Sequence, residues 1–382
     1  MEFTRKEIMI KVLFLIHDLG QGGAEKVLVN LVNNMDLNRF DISVIALFGG
    51  GVNRQFLRPE IKYKACFKHT VPGNSKLMKL LSPKQLHKWL IKEHYDIEVA
   101  YLEGPSARII SGCSDKSTKL ISWIHIEQKN RRTACSSFRN FKEAYRCYSE
   151  FDRCVCVAET VKDDFLSIFD LKVPTQILYN TNESDRIIAS SAESIPDGTI
   201  EEGSFTWCGV GKILPNKGFD RMIKIQKRLL DEGYNTKLLI LGVGPQQEEL
   251  EKYCEQNGML ESVKFLGYQT NPYKYVAKCD LFVCASHAEG FSTAATEALI
   301  VGTPVCTVEV SGMKEMLGEN NEYGIVTEND DEALYKGIKS LIDAPELLAH
   351  YKRRAEMRGK TFSTENTVKA VEEMLEAVYR ER

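Results

Sequence analysis

Two acids set eight positions apart, Glu289 and Glu297 in the run SHAEGFSTAATEAL, pose the first chemical question. A glycine, small hydroxyl residues and alanines separate them, so they do not form one acid/base pair. Glu289 is expected at the C-terminal end of a buried strand, LFVCASH, where Gly290 allows an unusual backbone angle and close approach of a ligand. Ser292 and Thr293 then open a helix, and the start of a helix leaves the amides of Phe291, Ser292 and Thr293 for phosphate oxygens. Glu297 falls one turn beyond Thr293 on the same face. Ribose or sugar hydroxyls could donate to an acid placed there. An acid near a helix start also suits the macrodipole, which explains one of the two without any ligand.

Upstream, GVGKILPNKGF puts Lys212 and Lys217 on either side of a short loop that ends at Gly218, just before a helical pattern. Two ammonium groups there are well placed for a diphosphate. Neither half of the chain has an Asp-x-Asp pair in a loop after a strand, and ENDDE at 328–332 reads as a helix-capping turn. Lysines and helix N-termini are therefore expected to neutralise a bound diphosphate, with no metal and no cofactor. Near the start, HDLGQGGAEKV offers Gly20, Gly22 and Gly23 before a helix, a turn whose amides can face an anion. It is not GxGxxG, and a tight turn with no ligand explains it equally well. His125 in SWIHIE, taken alone, is a satisfied histidine at a strand end.

The elements that must position these residues alternate between strand-like and helical runs along the 382 residues. IKVLFLI, DISVIAL, IEVAYLE, TKLISWI, RCVCVAE and TQILYN precede Asn180. FTWCGVG, KLLILGVG, SVKFLGY, LFVCASH and TPVCTVEV follow a polar, acidic, serine-rich stretch. That pattern predicts an α/β chain of two doubly wound parallel sheets, which bind ligands at the C-terminal ends of their strands. The expected divisions are an N-terminal domain over 1–182, a linker over 183–203, a C-terminal domain over 204–361 and a final helix over 362–382.

Bulk composition narrows the classes further. With 43% hydrophobic and 27% charged residues the chain is an ordinary globular one. No run approaches the roughly 18 apolar residues of a membrane span, and charges flank the first short apolar run, which argues against a signal peptide. The eleven cysteines are odd in number and lack CxxC spacing, so they are expected to be small hydrophobes in a reducing cytoplasm, not zinc ligands or disulfides. Charge is uneven: residues 51–150 hold 19 basic against 9 acidic side chains, including KLMKLLSPKQLHKWLIK. A solvated lysine-rich face and a surface for anionic lipid or an anionic acceptor account for this equally well. Nucleic acid is not an expected partner.

EGFSTAATE is an E-x7-E motif. In order with GVGKILPNKGF, LLILGVGP, VKFLGYQTNPY and EALIVGTPV, and with GQGGAE and SWIHIE, it makes nearly the whole chain resemble the retaining glycosyltransferases of family 4, which have the GT-B fold. The resemblance implies that Glu289 binds hydroxyls of the transferred sugar and Glu297 the ribose. It implies that Lys217 holds the diphosphate with the amides around Ser292 and the Gly22–Gly23 turn, and that His125 orients the sugar. Where the family usually has arginine this chain has Lys212, which keeps the charge and loses the bidentate fork. The family's usual glycine pair is Ser311 and Gly312 here, with Glu315 nearby. Implied partners are a nucleotide sugar, a UDP-sugar before a GDP-sugar, and a saccharide or lipid-linked acceptor at the inner membrane face. Two other classes compete. A nucleotide-sugar epimerase of the same fold needs acid/base groups and no acceptor, and a non-catalytic partner subunit should have lost one of His125, Lys217 or Glu289.

Overall fold

The computed structural model describes residues 9–381 except 21, 70–77, 129 and 197. Its first sheet runs β1 (Ile10–Ile16), β2 (Phe40–Phe48), β3 (Lys62–Phe67), β4 (Ile97–Ala100), β5 (Lys119–Ile124), β6 (Arg153–Cys156) and β7 (Thr175–Ile177). Helices between them are α1 (Gly23–Asn34), α2 (Pro83–Leu90), α3 (Pro105–Ile110), α4 (Arg131–Ala134), α5 (Phe141–Ser149) and α6 (Glu159–Phe169). After α7 (Ser184–Ser191) the second sheet runs β8 (Phe205–Val210), β9 (Thr236–Leu241), β10 (Val263–Gly267), β11 (Leu281–Cys284), β12 (Val305–Val308) and β13 (Ile325–Thr327). Its helices are α8 (Phe219–Asp231), α9 (Gln247–Gln256), α10 (Tyr273–Val276), α11 (Thr293–Ile300), α12 (Met313–Leu317), α13 (Asp331–Asp343) and α14 (Pro345–Gly359), and α15 (Thr364–Arg380) ends the chain.

The strand orders are β3-β2-β1-β4-β5-β6-β7 and β10-β9-β8-β11-β12-β13, with every pairing parallel. Strands of this kind are apolar along their whole length because helices cover both faces, and β1 and β9 are buried almost throughout. In each sheet the chain order reverses once, between β1 and β4 and between β8 and β11. Loops diverge at such a switch point and leave room for a ligand beyond the strand ends.

The chain divides into two compact units, residues 1–182 with 364–382, and residues 183–363. The first includes α15, where Arg39 pairs with Glu372 at 2.7 Å and with Glu376, and where Thr364 Oγ1 donates to the Asn182 carbonyl at 2.7 Å. The second includes the segment expected as linker. Composition there is polar, yet α7 is a helix with Ile187 buried, packed on α10 and α11, and the Ser190 carbonyl accepts from Asn271 Nδ2 at 2.9 Å. Ile187 is the apolar residue that docks this otherwise mostly polar helix, while neighbouring Ile188 stays exposed.

Candidate active site

The loops after β8 and β11 meet at the switch point of the second sheet. Gly218 holds φ +70°, and a Cβ there would fall on the Ala285 carbonyl oxygen, so only glycine lets the first loop lie against the second. The His287 amide donates to the Asn216 carbonyl at 2.8 Å, fastening the two loops together. Buried Arg221 supports them from α8, its Nη2 3.1 Å from His287 Nδ1 and its Nη1 donating to Asn329 at 2.9 Å.

This arrangement brings Lys217 and Glu289 into contact. Lys217 Nζ donates to Glu289 Oε1 at 2.6 Å, and Ser286 Oγ donates to the same oxygen at 2.7 Å. Cys284 Sγ approaches that oxygen at 4.0 Å, and burial, then the Glu289 charge, raise its thiol pKa. Among the described residues these contacts all fall on Oε1. Glu289 is not at the strand end as expected: β11 stops at Cys284, and the acid stands in the following loop. The backbone must leave the sheet early for Ser286 to reach it.

Ser292 caps α11, its Oγ accepting from the Ala295 amide at 3.4 Å, and Thr293 is the first helical residue. The amides of Ser292, Thr293 and Ala294 precede the first intrahelical acceptor and carry the positive end of the helix dipole. Phe291 is buried and stacks edge-on against Phe362 at 5.7 Å. Glu297 lies one turn into the helix as expected but is buried, with the Tyr273 hydroxyl 3.4 Å from its Oε1. Lys212 is exposed and makes no ion pair among the described residues. Gly312 takes φ +78° before α12, where a Cβ would press on the Gly290 carbonyl and Phe291, and Glu315 lends its carbonyl to Arg358 at 2.6 Å.

Gly22, Gly23 and His125 stand in the other unit. Gly22 precedes α1 and Gly23 begins it, while the Gly20 amide is already taken by Asp18 Oδ1 at 2.7 Å. Gln21 of that turn lies outside the described residues, as do residues 76 and 77 of the basic run. His125 follows β5 with its ring 4.7 Å from that of Tyr101 and nearly parallel to Trp123. Burial lowers its pKa to about 3, so the ring is neutral, and its Nε2 is buried with no partner among the described residues. The isolated-residue reading of His125 as a satisfied histidine therefore fails. Its amide donates to Glu103 at 3.1 Å, and burial pushes that carboxyl up to about 7, the His125 bond opposing. Glu103, Ser286, Arg221 and His287 were missed in the sequence. Glu103 had a signal, being the one acid closing the otherwise apolar end of IEVAYLE.

With this geometry in view the relatives can be placed. The family described as glycosyl transferases group 1 matches residues 190–358, the stretch that carries Lys217, Glu289 and Glu297. The chain is 27% identical over 365 residues to the N-acetylgalactosamine-N,N'-diacetylbacillosaminyl-diphospho-undecaprenol 4-alpha-N-acetylgalactosaminyltransferase of Campylobacter jejuni, covering 93% of this chain and 96% of that one. Anabaena Alr3699/HepE, solved in complex with UDP, superposes with a TM-score of 0.75 at 17% identity, over 96% of this chain and all of that one. Sucrose-phosphate synthase from Thermosynechococcus elongatus gives 0.78 at 13% identity, over 97% of this chain. The fold is GT-B. The group 1 match and the Campylobacter relative support a glycosyltransferase on that fold.

Proposed function

We propose that the chain is a retaining family 4 enzyme that moves a hexose or N-acetylhexosamine from a UDP-sugar to a saccharide or lipid-linked saccharide acceptor, without metal, in surface polysaccharide or glycolipid assembly. The observation that carries this reading is the convergence of the Lys217 ammonium, the Glu289 carboxylate and the N-terminus of α11 at one switch point. A cation, a helix dipole and a sugar-binding acid are what a nucleotide sugar needs. The UDP of the Anabaena neighbour and the diphospho-undecaprenol acceptor in the name of the Campylobacter relative support the donor and acceptor classes.

In this reading Lys217, Lys212 and the amides of Phe291, Ser292 and Thr293 stabilise the departing diphosphate. Gly22 and Gly23 are assigned to the same anion, and Glu297 to the ribose. Glu289, left in place as Lys217 turns to the diphosphate, holds the sugar and stabilises the positive charge that develops on it. His125, neutral and with an unused ring nitrogen, orients the sugar. The acceptor hydroxyl attacks from the face the diphosphate leaves, and a phosphate oxygen takes its proton. Incubation with a panel of UDP- and GDP-sugars, with and without a lipid-diphosphate acceptor, tests the reading. Transfer with the donor's anomeric configuration kept supports it, inversion sinks it, and an epimerised sugar without acceptor favours the epimerase.

Among the described residues no helix is long and apolar enough to cross a membrane. A cytoplasmic enzyme resting on the inner membrane face is supported by α2, whose outer side exposes Lys84, Lys88 and a half-exposed Trp89. Salt-sensitive co-sedimentation with anionic liposomes is the expected result, and its absence removes this part of the reading.

A further inference from the structure

One cluster of chemistry-bearing side chains lies outside every residue assigned above. His87 comes from α2, Glu98 from β4 and Cys113 from the turn after α3, so three separate elements converge. One ligand atom from each lies within 4.8 Å of the other two, and His87 Nε2 is 2.8 Å from Glu98 Oε2. Glu98 is only 2% exposed, in a strand whose other residues are all buried. A carboxylate there is costly unless a cation faces it. The two remaining ligands are partly exposed, which leaves a way in for an ion.

We propose that His87, Glu98 and Cys113 form a zinc-class metal site that ties α2 and the end of α3 to the first sheet. An imidazole, a carboxylate and a thiolate are a borderline-soft donor set, suited to zinc and poorly suited to magnesium or calcium. Bonds of about 2.0–2.3 Å in a tetrahedron separate the ligand atoms by roughly 3.3–3.8 Å. His87 Nε2 and Glu98 Oε2 stand 2.8 Å apart and no pair of the three atoms exceeds 4.8 Å, so side-chain rotations that open the first pair around an ion complete the site. Binding displaces two protons to solvent, the Cys113 thiol proton and the His87 Nε2 proton that Glu98 now faces, and water fills the fourth position. Cysteine spacing gave no hint, because the ligands are distant in sequence and only one is a cysteine.

The test uses the full chain, stripped with a chelator and desalted. Cobalt(II) is titrated in and thiolate-to-metal charge transfer is followed in the near ultraviolet, while melting is followed as zinc chloride is added. One equivalent of cobalt producing the band, with a rise in Tm on adding zinc, is expected. Cys113→Ser must abolish the band and weaken zinc by more than the roughly 10–100-fold that losing an outer partner costs. His87→Gln, at a partly exposed position, must do the same. No band in the native chain, a band that survives either substitution, or a Tm indifferent to zinc overturns the proposal and leaves His87 and Glu98 as a simple ion pair.

Discussion

Separating the Lys217–Glu289 contact into its two halves distinguishes what each group does. At 2.6 Å, with an effective dielectric between about 80 and about 20, the gross attraction is roughly 1.6–6 kcal/mol. The lysine side chain is 29% exposed and the glutamate 12%, so desolvation and the ordering of a long side chain offset most of this. A net worth of about 1–2 kcal/mol remains. Lys217→Ala and Glu289→Gln should each destabilise the fold by about that amount in urea unfolding, and the double variant by clearly less than the sum. A cost so small leaves both proteins folded, so loss of activity then reports chemistry. Loss of one preorganised charge-stabilising group lowers transfer by about 10²–10³-fold.

Binding of UDP is the sharper measurement. Lys217 must leave Glu289 to face a diphosphate, so Lys217→Ala should weaken UDP in calorimetry. Glu289→Gln frees the ammonium beforehand and should leave UDP binding unchanged or tighter, by up to about five-fold for 1 kcal/mol of released pairing. Turnover must still collapse, because the sugar has lost its acid. If Glu289→Gln weakens UDP as much as Lys217→Ala does, the carboxylate belongs to the phosphate site and the division of roles is wrong. Full activity in either variant refutes the site altogether.

Three further outcomes are expected. Gly218→Ala forces a side chain into φ +70° and onto the Ala285 carbonyl, costing about 1–3 kcal/mol in urea unfolding and lowering transfer as the two loops part. Arg108 is 1% exposed, pairs with Glu143 and donates to the Met78 and Leu81 carbonyls, so Arg108→Met should cost about 3–5 kcal/mol. Adding Glu143→Leu should recover part of that, as read by chemical denaturation. Glu103 holds a proton in the folded chain up to about pH 7 that the unfolded chain loses near 4.5, so its contribution to stability falls as pH rises through that window. Against Glu103→Gln, the native protein should lose about 1–3 kcal/mol between pH 4.5 and 7, less than full burial implies because the side chain is partly exposed. His125 has the opposite sign, its stability contribution rising from about pH 3 to 6.5, and it cancels in this comparison.

The central strands were legible because a parallel strand buried on both faces is a continuous apolar run. The edges were not. KYKACF at β3 alternates lysine and tyrosine with a burial pattern open on one side, and β13 spans only Ile325–Thr327. β3 and β13 lack the continuous buried run of the central strands, as suits an edge that must not pair with other chains. The E-x7-E spacing located α11 and its N-terminus correctly. It could not show that β11 would end before Ala285, since SH and AE carry no strong turn signal. Nor could it show Glu297 sinking into the packing under Tyr273. Ion pairs across 72 residues, such as Lys217 with Glu289, are invisible to any local pattern.

Ser286 explains why the missing detail matters for the chemistry. Lys217 and Ser286 both donate to Oε1 of Glu289, which leaves the described contacts off Oε2. When Lys217 turns towards a diphosphate, an acid held only by that lysine would be released along with it. On the proposed reading the Ser286 hydroxyl, itself buried, would keep the carboxylate in place while its charge becomes available to the sugar. On that reading the two motifs would work as an exchange of partners: the ligand's anion takes the cation, and its hydroxyls take the acid. Gly218 and the His287–Asn216 bond keep the loops close enough for that exchange to need only a lysine rotation.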